Sequence, residues 1–66
     1  MQIRINGEER SFHEGCTIEA LLGELALDAR KIAVEVNLAI VPRSLYAQTP
    51  LANGDAVEIV RFIGGG

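Results

Sequence analysis

A single cysteine, Cys16, in 66 residues excludes an internal disulfide framework. With only His13 near it the chain offers no metal-ligand spacing, so no bound metal is expected. Six Lys and Arg against nine Asp and Glu leave a net charge of −3, and the basic residues are scattered. Binding phosphates needs them clustered, so nucleic acid is not an expected partner. No apolar run approaches the ~20 residues of a membrane span, and no signal-like apolar core is present; a cytoplasmic protein that stays off membranes is expected. No internal repeat or low-complexity segment precedes the last residues. A chain of this length buries only about 60% of its unfolded surface, which leaves little room for an enclosed active-site cleft. One small domain, monomeric when free, is expected.

What the chain does have is an unusual ending. An apolar strand-like run, Ala56 to Ile63, leads into Gly64-Gly65-Gly66, where the sequence stops. Glycine has no Cβ and the widest backbone freedom, so these residues are expected to form a flexible tail, 64–66, behind a domain spanning 1–63. Fully extended, three residues reach about 10 Å, enough to thread a narrow slot in another protein. The terminal carboxyl of Gly66, with a reference pKa of about 3.3–3.7, is ionised at neutral pH and resists nucleophilic attack. Conversion to a mixed anhydride with a nucleotide would turn it into an acyl donor at the least hindered residue available. Glycine-rich ends are in general more often inert tails or scars. Here no Ser/Thr/Lys-rich linker separates the strand from the glycines, and that direct join favours a chemical handle.

The elements follow from periodicity. Met1 to Ile5 alternates, with Met1, Ile3 and Ile5 on one face of a strand. Asn6-Gly7 is a hairpin signal, because a type I′ turn needs positive φ at both central positions. Arg10 to His13 reads as the second strand, with Phe12 in the core. Gly15 breaks it, and Thr17 is the expected N-cap of a helix over Ile18 to Leu27 whose stripe is Ile18, Leu21, Leu22 and Leu25. Glu19 complements the positive end of the dipole. Ile32 to Val36 is a third strand, ended by Asn37. Ala39 to Val41 is a short fourth one, confined to an edge by Pro42. Arg43 to Ala47 is expected to turn Leu45 and Tyr46 against the core. Ala56 to Phe62 is the last strand; both its faces, Val57 with Ile59 and Val60 with Phe62, are largely apolar. That pattern suggests a central strand covered on both sides, by the helix and by either the Leu45/Tyr46 turn or a partner. One helix across a mixed sheet of four or five strands is an α+β arrangement of the β-grasp, ubiquitin-like kind; the central pairing of first and last strands is taken from that fold by analogy.

The run Val36-Asn37-Leu38-Ala39-Ile40-Val41-Pro42-Arg43, then Tyr46-Ala47, then Leu51 to Ile59 with its Asn53-Gly54-Asp55, and the closing Gly65-Gly66 together resemble the ThiS family of small sulfur carriers of thiamine biosynthesis. Gly64 adds a third glycine ahead of the pair. The resemblance implies a carrier, not an enzyme. A ThiF-like adenylating enzyme using ATP and Mg²⁺ would form an acyl-adenylate at Gly66. A sulfur donor, ultimately a cysteine desulfurase, would convert it to a thiocarboxylate, and thiazole synthase would receive the sulfur. The chain itself would bind no cofactor. Gly64 and Gly65, with Phe62 and Ile63 beside them, are the expected partner contacts. A sulfur carrier for molybdopterin or another cofactor, a ubiquitin-like protein modifier and a plain interaction domain with an inert tail remain the alternatives. Cys16 precedes a helix start but reads as a small buried hydrophobe rather than a persulfide relay. His13 has no partner at readable spacing, and Arg43 reads as solvated.

Overall fold

Asn6 and Gly7 take φ of +47° and +87°, and the hairpin they close joins strands β1 (Gln2–Ile5) and β2 (Glu8–Ser11). The computed structural model describes residues 1–62. After the hairpin come helix α1 (Ile18–Glu24) and strands β3 (Ile32–Val36), β4 (Ala39–Val41) and β5 (Ala56–Arg61), with short 3₁₀ segments at Ala29–Lys31 and Arg43–Gln48. The five strands form one sheet in the order β2-β1-β5-β3-β4. β1 and β5 run parallel and the other neighbours antiparallel. This is the expected β-grasp, with the last strand at the centre.

The second strand begins at Glu8 and ends at Ser11 instead of running from Arg10 to His13. The turn fixes the register, pairing Ile5 with Glu8 and Gln2 with Ser11, so β1 runs out of partners there. The Phe12 N–H still reaches the Met1 carbonyl at 2.9 Å, and the Phe12 ring enters the core, but His13 leaves the sheet for solvent.

Thr17 caps α1 as expected, its Oγ1 accepting from the Ala20 N–H at 3.1 Å. The helix stops at Glu24, short of Leu27. Ala26 adopts φ +57°; its N–H goes to the Gly23 carbonyl at 3.1 Å and the Leu27 N–H to the Leu22 carbonyl at 2.9 Å. These two bonds make a Schellman ending, which normally puts glycine where Ala26 stands. Composition alone concealed it.

A second tight turn was also hidden. Asn37 and Leu38, at φ +51° and +71°, form a two-residue loop between β3 and β4. Leucine is a poor occupant of that conformation, and the side chain is 89% exposed.

The core lies between α1 and one face of the sheet. Ile3 and Ile5 of β1, Val57 of β5, Ile32 and Val34 of β3 meet Ile18, Leu21 and Leu22 of α1, with Phe12, Cys16, Tyr46 and Leu51 closing the ends. Tyr46 is buried but Leu45 is exposed, so the Arg43–Gln48 segment contributes one side chain where two were expected. That segment packs on the α1 side, so within the described chain nothing covers the opposite face of β5.

Candidate functional site

Strand alternation sorts β5 into two sets. Val57 and Ile59 point to the core, while Glu58, Val60 and Phe62 point away from it. The register places Ala33 opposite Val60, and Glu35 between Glu58 and Ile40, on that outer face. Ile40, Val60 and Phe62 are 74%, 55% and 62% exposed, and Ala33, Ile40 and Phe62 line one open groove. Among the described residues, β5 is thus central and covered on one side only. Large side chains gathered on a bare sheet face are what a docking surface looks like.

The electrostatics of this face are uneven. Glu35 and Glu58 sit directly across from one another on neighbouring strands, a like-charge pairing that disfavours the free fold. Where the chain leaves the sheet, Lys31 and Arg61 border Phe62, whose N–H is bonded to the Lys31 carbonyl at 3.0 Å. Asp28 nearby is already occupied: side-chain and backbone hydrogen bonds from Arg30 hold its carboxyl down at about 2. The two basic residues therefore stand beside the strand end that leads to the glycines.

Two asparagines aim β5. The Asn6 side chain accepts from the Ile59 N–H at 2.7 Å and donates to the Ile59 carbonyl at 3.1 Å, taking over as a strand partner where β1 turns away. Asn37, on the other flank, accepts from the Ala56 N–H at 3.0 Å and donates to the Asp55 carboxylate at 3.0 Å. Asp55 also accepts from Ala52 N–H, and the Asn53 side chain takes the Gln2 N–H, each at 2.8 Å. The mid-chain motif residues Asn37, Asn53, Gly54 and Asp55 thus clamp the start of β5 between β1 and β3. Their place in the motif is architectural. Sequence reading took Asn6 for a turn former and Asn37 only for the end of β3; the positive φ was visible at Asn6 alone, and the reach of the two side chains to β5 at neither.

Of the residues expected at the site, Phe62 is described and exposed; Ile63, Gly64, Gly65 and Gly66 lie outside the described residues. Arg43 is exposed, as expected. Cys16 is fully buried, and burial first, with the nearby Glu24 charge second, pushes its thiol above the ordinary value. A protonated, enclosed sulfur is a poor relay. Glu24, which the sequence gave no reason to associate with Cys16, lies beside it. No helix of the described chain is long and apolar enough to cross a membrane.

A mixed sheet gripping one helix, with parallel first and last strands at its centre, defines a ubiquitin-like β-grasp protein. The ThiS family model matches residues 3–66, glycines included, and the chain belongs to the ThiS family. It is 32% identical to the sulfur carrier protein ThiS of Bacillus subtilis, over 97% of this chain and 98% of that one. The crystal structure of the thiamine biosynthesis protein ThiS from Geobacter metallireducens superposes over all of both chains with a TM-score of 0.87 at 32% identity. A thiazole synthase of Paramagnetospirillum magneticum is 62% identical over all 66 residues, which make up 20% of that protein. The chain spans about a fifth of the length of the two thiazole synthases it matches.

Proposed function

We propose that this chain is a sulfur carrier, not a catalyst, and that the Gly66 carboxyl is its reagent. A ThiF-like enzyme holding ATP and Mg²⁺ lets the carboxylate oxygen attack the α-phosphorus, expelling pyrophosphate and leaving an acyl-adenylate. The outer sulfur of a persulfide, on a donor charged by a cysteine desulfurase, then attacks the carbonyl carbon and AMP departs. A thiol cleaves the resulting acyl disulfide, ending in a disulfide with the donor's sulfur and releasing the thiocarboxylate. The thiocarboxylate gives its sulfur to thiazole synthase for the thiazole of thiamine, and an oxygen from the acceptor carbonyl or from water takes its place, so that the carboxylate returns.

The observation that carries this reading is the family match through Gly66 on a fold whose central strand runs to that tail along a bare apolar face. Two of the matched relatives are themselves thiazole synthases, which supports that enzyme, over molybdopterin assembly, as the receiver. Holding carrier and acceptor on one chain raises their effective concentration to the millimolar range. Ordering each tail glycine costs about 1–2 kcal/mol of backbone entropy, so affinity has to come from the face formed by Ile40, Val60 and Phe62. A carrier that must leave one enzyme for the next gains from that modest affinity.

The chemistry needs a free carboxyl at Gly66. Intact-mass and C-terminal peptide analysis of the protein recovered from its own cells should show a chain ending there, part of it with one oxygen exchanged for sulfur. Loss of Gly65 and Gly66 should abolish rescue of a thiamine-requiring strain. Gly66 found in isopeptide linkage to lysines would establish the modifier reading instead, and full rescue by the shortened chain would leave only an inert tail.

A further inference from the structure

We propose that His13, Cys16 and Glu24 form a binding site for one divalent transition-metal ion of the zinc class. The three side chains come from the turn before α1 and from its last residue. The Cys16 N–H meets the His13 carbonyl at 3.2 Å around Gly15 at φ +80°, and the Cys16 carbonyl takes the Leu51 N–H at 2.9 Å, which fixes the turn against the core. α1 then carries Glu24 back over it.

His13 Nδ1 lies 3.7 Å from Glu24 Oε2, Cys16 Sγ lies 4.0 Å from the same oxygen, and all three donor atoms fall within 4.8 Å of one another. Tetrahedral zinc with bonds of 2.0–2.3 Å separates its ligands by about 3.4–3.6 Å, so side-chain adjustments of up to about 1.4 Å close the site. The donor set also selects the ion. Thiolate, imidazole and carboxylate together suit zinc and its neighbours, whereas magnesium and calcium call for oxygen alone. Binding would displace the thiol proton to solvent, and the thiolate with the Glu24 carboxylate would balance the double charge. Because His13 and Glu24 are exposed, water can fill the fourth position.

The site is separate from the tail. His13 follows Phe12, which pairs with Met1, and the parallel register of β1 and β5 puts Met1 and Phe62 at opposite ends of the sheet. Metal binding can therefore be judged whatever the fate of the sulfur-carrier reading.

The test is titration of the purified, chelator-stripped full chain with Zn²⁺ against a chromophoric competitor, and with Co²⁺ followed by absorption. The wild type should bind one ion, with a thiolate-to-cobalt charge-transfer band, and zinc should raise its melting temperature. Loss of an outer hydrogen-bond partner weakens a metal site roughly 10–100-fold, and His13→Ala and Glu24→Gln, which remove direct donors at exposed positions, should each weaken it more. Both variants should fold normally without metal. The proposal is overturned by an absence of saturable binding, by a cobalt complex without the thiolate band, or by either variant binding as tightly as the wild type.

Discussion

The two faces of the central strand are built from similar side chains and meet opposite fates. Val57 and Ile59 look inward at α1, while Val60 and Phe62, equally apolar, look outward from a face that nothing in the described chain covers. The difference teaches that hydrophobic content alone does not mark core. One face is apolar because the fold needs it; the other is apolar although the fold does not, and that is the face the proposed function gives to a partner.

The sharpest way to break this contrast is to truncate one residue on each face. Ile3→Ala, in the same core cluster as Val57, should remove about 3 kcal/mol of stability, a large share of what so small a domain has, and urea denaturation will measure it. Phe62→Ala should leave the unfolding free energy within about 0.5 kcal/mol of wild type. It should instead weaken binding to the adenylating enzyme about tenfold or more, as truncating an aromatic anchor does. A Phe62→Ala chain that unfolds as readily as Ile3→Ala would erase the distinction.

Smaller effects sharpen it. Ala26→Gly, at the helix end with φ +57°, should raise stability by about 0.5–1 kcal/mol and leave partner affinity untouched, since the strain it relieves belongs to the covered layer. Glu58→Gln on the bare face should do the reverse in kind. It should stabilise the free chain by about 0.2–0.5 kcal/mol by relieving its opposition to Glu35. It should also weaken docking and flatten its salt dependence, provided the pair is kept to meet cations on the partner. A gain in stability with unchanged docking would assign the pair no role.

Local pattern carried most of the architecture. Period-two alternation in Met1–Ile5 and Ile32–Val36, the Asn6-Gly7 turn, the Thr17 cap and the stripe of Ile18, Leu21 and Leu22 are short-range consequences of residue type, and each stands where its chemistry puts it. The strand leading to the glycines was likewise legible, because apolar alternation is written residue by residue. The tertiary structure decided what depends on contacts between distant segments. It ended α1 at Glu24 through a Schellman pair at Ala26, stopped β2 at Ser11 by exhausting β1, and gave Asn6 and Asn37 a second task in holding β5. It left Val60 and Phe62 bare and set Glu24 beside His13 and Cys16. Sequence fixes which side chains share a face of an element, since that follows from covalent geometry; whether another layer covers that face depends on where the rest of the chain packs.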